Sequence, residues 1–108
     1  MPAHTNGLPS LFCKVSRNIY PISFTHKDGT KIVMHGLGIC NNFMLVNIHG
    51  YGFMGDEDIV MITLYGDSEL SEIVSTNMLR KEDFAEIGVD LAIVEVNRNF
   101  CDITGPLS

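Results

Sequence analysis

Short runs of β-branched, aromatic and aliphatic residues alternate along this chain with clusters of Gly, Asp, Asn and Ser. Residues 19–25 (IYPISFT), 31–39 (KIVMHGLGI), 43–48 (FMLVNI), 58–65 (DIVMITLY), 69–76 (ELSEIVST) and 89–96 (VDLAIVEV) each have the composition and length of a strand. Between the first two lies HKDG, whose Asp28-Gly29 pair predicts a hairpin turn because glycine tolerates positive φ. Asn41-Asn42 predicts a second turn, separating the next pair of strands. Several runs are apolar on both faces, as strands inside a closed barrel or sandwich are. Residues 77–87 (NMLRKEDFAEI) predict one helical turn or an ordered loop. Residues 1–8 read as a ragged end, and LPSLFCKVSRN predicts a short helix starting near Pro9 or Ser10, with Leu11, Phe12 and Val15 on one side. The expectation is an all-β chain: a small antiparallel β-barrel preceded by a short N-terminal helix.

At 108 residues there is room for one domain with one core, and no internal linker divides the chain. The longest apolar runs are too short to span a membrane, and the first ten residues lack the basic and apolar regions of a secretory signal. The three cysteines, Cys13, Cys40 and Cys101, form no CxxC pair and read as small structural residues of a reducing, intracellular setting. No Cys or His pair has metal-ligand spacing, and HGYGFMGDED runs into acids and a strand instead of a helix, so neither a metal, a phosphate loop nor a cofactor is expected. A net charge of −6 opposes non-specific nucleic-acid binding, although Lys14, Arg17, Lys27 and Lys31 concentrate positive charge in the first third.

Candidate chemistry begins with the four histidines. His4 in the ragged end and His26 in the hairpin turn read as solvated, and His35 as a satisfied strand residue. His49 follows the apolar run FMLVNI and precedes GYG, so its ring emerges where the chain leaves the barrel. A general base needs such a place, held by a strand yet open to a cleft. It also needs an acceptor on its other ring nitrogen. Asp90, 41 residues on, stands at the mouth of the apolar strand LAIVEV, where an acid has no packing reason to be. Glu95 reads as a surface charge, and Glu86 and Asp83 as loop alternatives. The glycines after His49 read as allowing a tight turn beside the cleft.

Four segments, in order, resemble the viral chymotrypsin-fold cysteine proteases of the picornavirus (3C-type) kind. KVSRNIYPISF is similar to that family's entry into its first strand. HGLGICNNFMLVNIHGY resembles the segment that ends in the general-base histidine. GVDLAIVEV resembles the strand bearing the acid, and NRNFCDITG resembles the F-R-D-I segment between the two barrels. The likeness covers residues 11–104. It implies that residues 1–108 form the N-terminal Greek-key barrel of a two-barrel enzyme in the host cytoplasm, with His49 as base and Asp90 orienting it. Some members carry a glutamate two positions into that strand, where Ala92 stands here.

The resemblance places the nucleophile in a Gly-x-Cys-Gly motif of a second barrel, and no such motif occurs in the 18 residues after Asp90. The chain by itself is therefore expected not to cleave peptides. Its implied partners are a polyprotein or peptide substrate, the C-terminal barrel, and a second copy joined through the exposed inter-barrel face. The family's RNA-binding face would correspond to Lys14, Arg17, Arg98 and Asp102. Cys101 replaces its arginine, which with the acidic total predicts weak RNA binding. A reading from another class takes the chain as a self-contained interaction module whose six methionines supply an adaptable surface.

Overall fold

A computed structural model describes residues 2–104, apart from the side chains of residues 2–8. Helix α1 (Pro2–Arg17) is followed by strands β1 (Ile19–Thr25), β2 (Lys31–Val46), β3 (Ile59–Tyr65), β4 (Ile73–Arg80), β5 (Phe84–Gly88) and β6 (Leu91–Phe100). The helix is longer than expected. It runs through the residues read as a ragged end and carries Pro9 in its interior, losing one backbone hydrogen bond there. Among its described side chains, Phe12 is 72% exposed. The side chain of His4 lies outside the described residues.

All six strands pair antiparallel, in the order β4-β3-β1-β2-β6-β5. The two runs expected to flank an Asn-Asn turn form one bent strand, β2. Its first half pairs with β1 through Leu37 and its second half with β6 from Asn41 onward. Asn41 takes a left-handed φ of 47° beside a bulge, so the pair bends the strand without ending it. Residues 77–87 resolve into the end of β4, a 3-10 turn at Lys81–Asp83, and β5. β4 pairs with β3, and β5 with β6, so this corner carries the chain from one side of the sheet to the other. The pairing order begins at β4 and ends at β5, and the chain itself joins these two edge strands through Lys81–Asp83. A bond from the Asn97 backbone N–H to Asn77 Oδ1 (2.7 Å) ties β6 to β4 directly. β3 returns to lie beside β1, which makes the connection a Greek key. The fold is the small antiparallel barrel with an N-terminal helix that the residue pattern predicts.

Alternate residues of these strands fill the interior: Ile22 and Phe24 from β1, Met44 and Val46 from β2, Val60, Ile62 and Leu64 from β3, Val94 and Val96 from β6. The bend in β2 needs two glycines for space. A Cβ on Gly36 would lie 2.6 Å from Met44 Sδ, and one on Gly38 would lie 2.3 Å from the Phe100 ring. Among the described residues, every buried side-chain nitrogen and oxygen has a hydrogen-bond partner. Asn18 Nδ2 donates to the carbonyls of Gly38 (3.0 Å) and Cys101 (2.5 Å), fastening the helix end and the C-terminal segment to β2. No helix among the described residues is long and apolar enough to cross a membrane.

Candidate active site

Beyond β2 the chain enters a 3-10 turn, Ile48–Gly50, and this turn carries His49. Asp90 sits on the two-residue connection between β5 and β6, where Gly88 pairs with Leu91. Because β2 and β6 are neighbours in register, with Val46 opposite Ala92, both loops leave the barrel at the same rim. His49 Nδ1 then lies 2.7 Å from Asp90 Oδ2, and the His49 backbone N–H donates to Asp90 Oδ1 at 2.8 Å. One carboxylate therefore holds both the ring and the peptide of the same histidine. None of the described residues bonds Nε2 of His49, and the side chain is 64% exposed.

Asp90 has φ of +58°, a left-handed conformation that costs a residue with a side chain roughly 1 kcal/mol but suits Asp better than most. What fixes it there is a dense set of bonds. Its carbonyl accepts from the Ile48 backbone N–H and from Asn47 Nδ2, both at 3.2 Å, and Asn47 Nδ2 also reaches Oδ2 at 3.3 Å. The hydrogen bond from the His49 side chain, followed by that from its backbone, holds the Asp90 carboxyl below the usual carboxylate range. Asn47 is part of this arrangement and was not singled out from the sequence. Its only signal was a polar residue ending the run FMLV.

The alternatives lie elsewhere. Asp83 accepts the Arg80 backbone N–H at 2.8 Å within its own turn. Glu86 receives the Tyr51 hydroxyl at 3.5 Å, and Glu95 receives Asn42 Nδ2 at 3.1 Å on the outer surface. Ala92 is fully buried and faces the core, so a carboxylate at that position would point away from the His49 rim.

Two histidine expectations need correction. His26 is not solvated: it is 8% exposed, and its Nε2 donates to the Gly50 carbonyl at 2.8 Å. His35 lies in β2 as expected, yet its side chain is exposed and has no hydrogen bond to a described residue. It lines a shallow apolar pocket of about 190 Å³ with Ile19, Leu37, Leu45, Asn47 and Leu91. The cysteines also differ: Cys13 and Cys101 are exposed, and Cys40 is half-buried. Gly50 and Gly52 do not need positive φ. They need room, since a Cβ on Gly50 would lie 2.8 Å from the Phe24 ring and one on Gly52 3.0 Å from Ile48.

Of the residues considered for RNA, Lys14 and Arg17 occupy the last turn of α1. Arg98 lies over the Tyr20 ring at 5.7 Å, with Nη2 3.4 Å from its hydroxyl. Asp102 accepts the Thr104 backbone N–H at 2.7 Å. The Asn18 bond to Cys101 gathers this set at the helix end of the barrel. That end is about 25 Å along β6 from the His49 rim, at ~3.3 Å per strand residue. Among the described residues, no three His, Cys, Asp or Glu side chains converge as metal ligands. No family model matches the chain, and neither does any curated protein.

The depressed titration of Asp90 is shared by Asp28, Asp58 and Asp67, held down first by bonds from Thr30, Lys27 and Ser71 respectively. A carboxyl with a lowered folded-state pKa stabilises the fold above its unfolded pKa of about 4 and loses that contribution as pH falls through the folded value. Urea midpoints should therefore hold from about pH 7 to 5 and drop below about pH 4. Asp90→Asn should make the drop shallower. A wild-type midpoint independent of pH across that acid range would contradict the assignment.

Proposed function

We propose that this chain is the general-base half of a chymotrypsin-fold endopeptidase of the picornavirus type, a cysteine protease that processes a viral polyprotein. The observation that carries the reading is the 2.7 Å bond between His49 Nδ1 and Asp90, with Nε2 left open to solvent. Donation to Asp90 puts the neutral ring's proton on Nδ1, leaving the Nε2 lone pair to act as base. In the whole enzyme Nε2 would take the proton of a cysteine thiol as its sulfur attacks the peptide carbonyl. The same proton would then pass to the leaving amine, with Asp90 holding the imidazolium between the two steps. The barrel topology supports the reading too, because it delivers both groups to one rim from loops far apart in sequence.

The nucleophile and the oxyanion donors belong to a second barrel. Val89 (96% exposed) and Ile87 (57%) lie beside Asp90 in the chain, and Phe53 (64%) lies just beyond His49. Apolar side chains this bare beside a site suit a surface that another body covers. Without that barrel, the face would join two copies of this chain. Light scattering should read a mass rising toward a dimer across micromolar concentrations, and a constant monomer mass would count against it. The deciding experiment for the function is to sequence the parent reading frame past Ser108. A second strand-rich segment with Gly-x-Cys-Gly supports the protease, whereas a stop codon there would remove catalysis and favour an interaction module.

A further inference from the structure

His26 is the one buried histidine among the described residues, and the proton relay proposed above does not use it. It follows β1 directly and opens the hairpin to β2, where its backbone N–H donates to the Thr30 carbonyl at 2.8 Å and its carbonyl accepts from Gly29 at 2.9 Å. The ring is thereby fixed at its base. It packs against Phe53 with ring centroids 4.5 Å apart, and its Nε2 meets the carbonyl of Gly50 at 2.8 Å. Gly50 immediately follows His49. Its other side is pressed against the barrel, where a Cβ would meet the Phe24 ring at 2.8 Å and Met34 Cε at 3.1 Å. A second clasp joins the same two loops, the ion pair of Lys27 with Asp58 at 2.8 Å, but it is exposed and correspondingly weak.

We infer that His26 is a positioning residue for His49, an inference that rests on the dyad reading above. The peptide between Gly50 and Tyr51 is held through both of its polar groups: its N–H donates to the Ile48 carbonyl at 2.9 Å, and its carbonyl accepts from His26. It lies on a three-residue 3-10 turn whose cap makes no side-chain hydrogen bond. The backbone bond from Gly52 to the Ile48 carbonyl (2.7 Å) closes the turn, and the bond from His26 anchors it to the barrel. Because a carbonyl can only accept, Nε2 of His26 carries a proton in every charge state of the ring. His26 and His49 are thus held in opposite tautomers when neutral: Nε2–H on His26, Nδ1–H on His49. The anchor keeps the His49 ring where Asp90 can select the Nδ1–H form, which free imidazole side chains disfavour.

Nitrogen chemical shifts of the imidazole rings report these tautomers directly, and the chain as it stands can be measured at mildly alkaline pH. The expected spectrum has His49 as Nδ1–H and His26 as Nε2–H. His26→Gln can place its amide nitrogen near the Nε2 position and should keep His49 as Nδ1–H. His26→Asn stops short of the Gly50 carbonyl, and His26→Phe abolishes the donor. Both should shift His49 toward the Nε2–H form. The Gln and Asn variants differ by one methylene and keep the site polar, so the comparison stands even if the Phe variant fails to fold. Unchanged Nδ1–H on His49 in the Asn variant would overturn the positioning role. An Nε2–H tautomer of His49 in the wild type would instead sink the dyad itself, and this inference with it.

Discussion

Asp90→Asn will lower the turnover of the proposed two-barrel enzyme by about 10⁴-fold while changing KM little, the loss expected when a catalytic histidine is held in the wrong tautomer. The two oxygens of Asp90 have different jobs. Oδ1 accepts the backbone N–H of His49, a group that can only donate, and Oδ2 accepts from the ring. A carboxamide has one acceptor, and the backbone N–H will claim it. The amide NH2 then faces Nδ1 and requires it to be an acceptor. The proton moves to Nε2, where the base should be. Asparagine also tolerates the φ of +58° at this position, so the backbone survives the change. Alanine would mix lost chemistry with backbone strain. Peptide cleavage by the asparagine variant within about 10-fold of wild type would refute the role, since a tautomer defect costs far more than that.

The sequence carried this dyad only in part. An acid at the head of LAIVEV and a histidine at the tail of FMLVNI are each odd for their surroundings, and the resemblance to the viral proteases joined them. The strands were legible for a local reason: apolar runs bounded by Gly, Asp and Asn mark strand and turn without tertiary information. Asn41-Asn42 misled because asparagine serves equally in a turn and in a bulge, and what decided between them was β6 pairing beyond the bend. His26 misled for the opposite reason. The turn in which it lies is correct, with Gly29 at φ 91° and Asp28 accepting from Thr30. Its burial comes from the loop after His49 folding over it, a contact 24 residues distant that no local pattern encodes. Asn47 and Gly50 were hidden likewise. Their work is done against Asp90 and Phe24, partners fixed only once the barrel closes.

The barrel wall behind the dyad should be as sensitive as the dyad. Phe24→Ala should destabilise the domain by about 3–5 kcal/mol, against a total of roughly 5–15 kcal/mol for domains of this kind. Phe24 is fully buried, pairs in register with Ile32 and Ile62, and lies in a stacked arrangement with Tyr51 at 6.5 Å. Tyr51 in turn stacks on Phe84 at 3.8 Å, and its burial, with Glu86 nearby, pushes the phenol up to about 12. It therefore stays protonated and cannot relieve a cavity by ionising. Nor can the cavity close readily from the other side. The Gly50 backbone that rests on the Phe24 ring is held by His26, and a glycine has no side chain to fill the gap. The cost should thus sit at the upper end for a phenylalanine truncation, read as a melting temperature lowered by roughly 15 °C or more. A loss of under about 1 kcal/mol would mean that the His49 turn sinks into the space. The dyad geometry would then have to change with it, which the nitrogen shifts of His49 would register in the same sample.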